Sequence, residues 1–144
     1  MRFRIWGVVC ALSMLVCAAA AQTSERSEWV GVWRGQLDNL PGVDMVITNE
    51  GGELRGAILF YLHLRPDVKS PWTSKAGLPE PLLALKTEGQ TLDFQVSHKR
   101  AHPPGSINDS PVALRLRLTA PGRAELVNMS EHDGPPLAMT RSAY

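Results

Sequence analysis

From residue 29 onward, apolar side chains recur at every second position, in short runs separated by Gly, Pro, Asn and Asp. Period two is the spacing of a strand that turns one face to a core. Residues 29–37 place Trp29, Gly31, Trp33, Gly35 and Leu37 on one face, and Asn39-Leu40-Pro41-Gly42 breaks the run. Residues 43–48 carry Val43, Met45 and Ile47 on one side, and Asn49-Glu50-Gly51-Gly52 reads as a hairpin turn. Residues 53–64 align Leu54, Gly56, Ile58, Phe60, Leu62 and Leu64, while Leu59 and Tyr61 on the other face predict partial cover on both sides.

A long connection over residues 65–81 follows, holding Trp72 and several prolines. A short strand at 82–86 then turns at Thr87-Glu88-Gly89-Gln90. Residues 91–98 set Leu92, Phe94, Val96 and His98 together, and residues 99–111 form a second loop rich in Pro, Ser, Asn and Asp. Residues 112–120 alternate most clearly: Val112, Leu114, Leu116 and Leu118 inward, Ala113, Arg115, Arg117 and Thr119 outward. Pro121-Gly122 leads into residues 123–131, and Asp133-Gly134-Pro135-Pro136 into a last strand at 137–141.

The pattern thus predicts eight strands and no substantial helix, since Pro or Gly interrupts every window long enough to try. Consecutive antiparallel strands joined by hairpins can close on themselves and so remove exposed edges. The expected fold is all-β, an eight-stranded antiparallel up-and-down barrel over residues 29–144, with a β-sandwich as the alternative.

The N-terminus reads differently. Residues 1–21 hold Arg2 and Arg4, no acid, and an apolar run ending at Ala19-x-Ala21, the pattern of a secretory signal cleaved after Ala21. Val16 before Cys17 is branched where a lipidation signal needs a small residue, so ordinary cleavage is expected, with residues 22–28 a loose arm. The product is expected to be exported, periplasmic or secreted. Removing residues 1–21 from 144 leaves 123. Lys+Arg then falls from 15 to 13 against 14 Asp+Glu, and the formal charge moves from +1 to −1. Cys10 and Cys17 go with the leader, which excludes a disulfide framework, a thiol nucleophile and Cys-ligated metal. Near-neutral charge gives no footprint for nucleic acid, and no later segment is long and apolar enough for stable membrane insertion.

Gly31-Val32-Trp33 followed by Gly35 places an inward tryptophan between glycines, so that other backbone can approach its ring. With a lone late arginine, Arg141, and the run Gly51-Gly52-Glu53-Leu54-Arg55-Gly56, the chain resembles the calycin superfamily of lipocalins, fatty-acid-binding proteins and avidins. The resemblance implies that Trp33 plugs the closed end of a barrel and that Arg141 packs across its ring. It also departs from its relatives. No C-terminal helix or helical lid is expected here, and the late tryptophans of avidin-like biotin sites have no counterpart after Trp72.

The second constellation is Ser97-His98-Lys99-Arg100-Ala101-His102-Pro103-Pro104. His98 and His102 could bind metal with Asp109, His63 or His132 as a third ligand. Lys99 and Arg100 could hold an anionic head group. A histidine could serve as base to Ser97 or Ser110, oriented by Asp93 or Asp109, although no nucleophile signature is present. The plainest reading is a Pro-stiffened, solvated loop.

Three functions compete. The first is a binding protein without cofactor or catalysis, holding a small apolar or amphiphilic ligand inside the barrel, with Phe60, Phe94 and Leu116 along its tail and His98, Arg100 and His102 at its head. The second is a filled barrel that binds a protein partner or acts as an inhibitor. The third is a hydrolase or metal site on the histidine loop. Internal volume separates the first from the second.

Overall fold

The computed structural model describes residues 28–97, 111–130 and 134–142. The expected leader over 1–21, the rest of the arm to residue 27, and the histidine loop at 98–110 lie outside the described residues. Ten antiparallel strands run in the order β1 (Gly31–Leu37), β2 (Leu40–Glu50), β3 (Glu53–Leu64), β4 (Thr73–Ala76), β5 (Glu80–Pro81), β6 (Leu83–Glu88), β7 (Thr91–Val96), β8 (Val112–Ala120), β9 (Arg123–Asn128) and β10 (Leu137–Ser142). They form one curled sheet ordered β4-β3-β2-β1-β10-β9-β8-β7-β6, with β5 also on β3. The fold is therefore all-β and barrel-like, a single sheet rather than two stacked ones.

Hairpin chemistry fixes the register. Asp38 and Asn39, at φ 52° and 64°, make the β1–β2 turn, so Leu37 pairs with Leu40 and the strand begins before Pro41 rather than at Val43. A bulge between Gly35 and Gln36 accommodates Pro41-Gly42, which the sequence pattern had placed in the turn. Gly51 and Gly52, both at positive φ, close β2 onto β3 with Glu50 opposite Glu53, and Asn49 Oδ1 accepts from the Gly52 amide.

The connection expected over residues 65–81 is partly strand. β4 pairs along the outer end of β3, Tyr61 with Ala76 through Leu64 with Thr73, and β5 pairs Glu80 with Ile58 and Pro81 with Ala57. Between them the Gly77 amide donates to the Phe60 carbonyl, and beyond them the Leu82 amide donates to Gly56. One residue later the chain changes partner: Leu83 pairs with Gln95 of β7. Residues 73–88 therefore serve both ends of the sheet, the first half bonded to β3 and the second to β7. Prolines hide this strand in sequence, because they sit where an edge tolerates a missing donor.

One core joins the sheet. Trp33, Met45, Ile47, Ile58, Leu92, Phe94, Val96, Leu116 and Met139 are each no more than 2% exposed and belong to a single cluster. All but Met139 are inward positions that the period-two pattern selects. Trp29 precedes β1 rather than opening it, yet is equally buried.

Candidate functional site

The two ends of the barrel differ in construction. At one end lie the start of β1, the β2–β3 and β6–β7 turns and the end of β10. There the Trp33 indole N–H donates to the Trp29 carbonyl at 2.8 Å. The Arg141 guanidinium stands 5.7 Å from the centre of the Trp33 ring, and its Nη1 donates to the carbonyls of Glu28 (2.7 Å) and Val30 (3.3 Å). Gly31, at φ 143°, leaves room for this side chain, since a Cβ there would touch the Arg141 methylenes. Gly31, Trp33 and Arg141 thus meet at this end of the sheet. A cleft of about 210 Å³ beside Arg141, lined in part by Leu118, and another of about 280 Å³ between Leu54 and Leu85 open at this end.

The opposite end holds the finish of β3, the start of β6 and the finish of β7. Here the strand serving two partners splays the sheet: β5 follows β3 while β7 runs on past Leu83 to Val96. Between them opens a cleft of about 790 Å³ with apolar walls of Leu62, Leu78, Pro79, Pro81 and Leu83. Lys75, Glu80 and Ser97 supply its polar groups. The volume is that of a small-molecule site, and an apolar lining with few polar groups is the usual composition of one.

Near this end, side-chain bonds tie β3 and β4 to β2. His63 Nε2 and the Ser74 hydroxyl both lie on the Pro41 carbonyl, at 2.8 and 2.9 Å. A carbonyl only accepts, so the His63 proton is on Nε2. Tyr61 donates to Asp44 at 3.0 Å, and this bond raises the phenol pKa by favouring its protonated form. In the adjoining loop, Asp67 accepts from the Lys69 and Ser70 amides and the Ser70 hydroxyl, which lowers its pKa.

The other sequence candidates are scattered. Phe94 and Leu116 are core residues at 2% and 0% exposure, Phe60 is half-buried against the same core, and none of the three is among the cleft walls. Ser97 lines the cleft, whereas Asp93 gives both carboxylate oxygens to Arg115, at 2.6 and 2.8 Å. That bidentate contact holds the Asp93 carboxyl below the usual carboxylate range. His98, Arg100 and His102 lie outside the described residues, as do Asp109, Ser110 and His132. Among the described residues no group of three or more His, Cys, Asp or Glu is placed to hold a metal ion. Nor does any described helix have the length and apolarity to cross a membrane.

No protein-family model, characterised protein or solved structure matches the chain. The site must therefore be read from its own chemistry.

Sequence reasoning missed the cleft walls because Leu78, Pro79 and Pro81 fell in an assumed connection. The signal there is weak, because Glu80 stands between Leu78 and Leu82 and prolines flank it.

Proposed function

We propose that this is an exported, non-enzymatic binding protein that holds the apolar part of a small amphiphile at the open end of its barrel. The observation that carries the reading is the cleft of about 790 Å³ with walls of Leu and Pro. The calycin-like contact of Arg141 with Trp33 supports it, because a plugged end directs any cargo to the other. The packed inner face moves the expected cargo position outward, from the barrel axis to the splayed strands. Ser97 lines the cleft and leads in sequence to His98, Arg100 and His102, and on that continuity we assign them the charged head.

Displacement of a fluorescent fatty acid tests the reading. The wild-type protein binds the probe, Leu78→Ser weakens binding, and Arg100→Ala weakens it by roughly ten- to a hundredfold if a charge-assisted contact is lost. Absence of binding to the wild type rejects the cargo reading. Equal binding by wild type and Arg100→Ala keeps the cargo and removes the loop from it.

A second reading has its own observation. The interior is filled by side chains from β1, β2, β3 and β7 to β10, which suits a module that binds a protein partner on its surface. Native mass spectrometry of the exported protein separates the two, by a co-purifying small molecule or a stoichiometric protein.

A further inference from the structure

Exposed apolar residues are distributed unevenly over the molecule. Nine large ones are exposed among the described residues, and all but Val46 lie at or beside the open end. Leu62, Leu64, Val68, Trp72 and Leu78 come from the end of β3 and the chain that returns from it. Leu37, Leu83 and Met129 stand at strand ends on the same side. Val68 and Leu78 are 81% and 77% exposed, which places them at the tips. Scattered apolar residues on a surface need no explanation, but a concentration at one end does.

Along the stretch that carries the tips the cations outnumber the acids, although Asp38 beside Leu37 and Glu80 in the cleft wall are acidic. Within residues 62–78, Arg65, Lys69 and Lys75 stand against a single carboxylate, Asp67, which is turned onto the loop's own amides and Ser70 hydroxyl. The Arg65 guanidinium lies 4.5 Å from the centre of the Trp72 ring, and its Nη1 donates to the Val68 carbonyl. Half-exposed tryptophan, stacked with a cation and flanked by apolar tips, is the composition that settles at the boundary between lipid head groups and acyl chains. A protein partner of ordinary interface character would select fewer lysines at the centre of the patch.

We propose that the open end docks on an anionic phospholipid bilayer, with Val68 and Leu78 entering the interface and Arg65, Lys69 and Lys75 facing the lipid phosphates. Docking is peripheral and uses no spanning segment. It brings the 790 Å³ cleft against the lipid surface, so cargo could pass without crossing water, yet it does not depend on cargo.

Vesicle flotation of the purified protein tests the proposal with no cargo added. Vesicles of phosphatidylcholine with about one-third phosphatidylglycerol should carry the protein upward, pure phosphatidylcholine far less, and added salt should release it. Each of Arg65→Gln, Lys69→Gln and Lys75→Gln should weaken binding roughly fivefold, and Val68→Ser with Leu78→Ser should abolish it. These side chains are exposed, and unchanged thermal melts verify that the variants fold. Trp72 emission should shift to the blue on vesicles, a change absent from Trp72→Phe, because Trp29 and Trp33 are already buried.

Failure to float with either vesicle overturns the docking and leaves the cargo reading standing. So does flotation that ignores both lipid charge and the three cations. Concentration-dependent self-association abolished by Val68→Ser and Leu78→Ser would also overturn it, by assigning the patch to a second copy of the chain.

Discussion

Replacing Trp33 by alanine tests whether the end of the sheet around Trp33 organises the fold. The ring is fully buried, and its N–H bonds to the Trp29 carbonyl at 2.8 Å. Loss of a buried aromatic side chain costs about 3–5 kcal/mol through transfer and residual cavity together. The orphaned Trp29 carbonyl and the lost contact with Arg141 each add about 0.5–1.5 kcal/mol. The expected loss is therefore roughly 4–8 kcal/mol, against a total stability of about 5–15 kcal/mol for a domain of ordinary size. Trp33→Phe divides the sum. It removes the donor and part of the ring together, so it should cost about 1–3 kcal/mol. Urea titrations followed by far-ultraviolet circular dichroism measure both, since removing Trp33 also removes fluorescence signal. A loss under about 1 kcal/mol for Trp33→Ala would show that the ring is not part of the core. Equal losses for Ala and Phe would show that the bond to Trp29, and not packing, carries the plug.

Two further predictions follow from contacts elsewhere in the sheet. Gly56→Ala should cost roughly 1–3 kcal/mol or more, because its Cβ would lie 2.2 Å from the Val46 carbonyl oxygen and 2.9 Å from Leu82, so backbone must move. Gly35→Ala should cost less, since its Cβ meets the flexible ends of Met139 and Leu137; thermal melts that reverse this order would reject the account. The Asp93–Arg115 pair should contribute about 0.2–1 kcal/mol, reduced by solvent because each side chain is more than one-third exposed. The folded Asp93 pKa is depressed, so this contribution is present above the unfolded carboxylate value of about 3.9 and lost as pH falls through the folded value. The stability gap between wild type and Arg115→Gln should therefore be constant near neutral pH and close in acid; a gap unchanged to pH 2 would refute it.

Alternation made most of the barrel legible. The clean runs containing Val43, Met45 and Ile47, then Leu92, Phe94 and Val96, then Leu114 and Leu116, are strands with those residues buried. In each case the strand is paired on both edges, so burial follows parity along it. The pattern failed at the turn before β2 and in the chain after β3. Pro41-Gly42 resembles a turn, but a bulge absorbs the pair and leaves Asp38-Asn39 to reverse the chain. Residues 73–81 lack alternation strong enough to read because they lie on an edge beside an open cleft, where half the side chains have nothing to pack against. Leu62 and Leu64 show the same limit. They continue the inward parity of β3, yet they are 58% and 49% exposed because the sheet opposite them has diverged. Parity selects a face, but it does not tell whether anything covers that face.

The cleft itself follows from a conflict in pairing. After β3 the chain must satisfy the edge of that strand and then the edge of β7, which the curled sheet leaves on its far side. A single regular strand between both edges would close the barrel along its full length and leave no opening. Residues 73–88 instead change partner at Leu82 and Leu83, with a register shift between Leu83 and Lys86 and Ala84 at φ 51°. A left-handed alanine is a strained backbone state that a regular strand would avoid. The prolines at 79 and 81 limit bonding before the exchange of partners, and the left-handed Ala84 sits in the register shift just after Leu83 has paired with β7. Ala84→Gly removes the penalty without changing the geometry and should raise stability. Leu78, Pro79 and Pro81 then remain as walls, so any cargo binding should persist in that variant. Loss of binding in Ala84→Gly, with stability raised, would mean that the cleft depends on strain rather than on the exchange of partners.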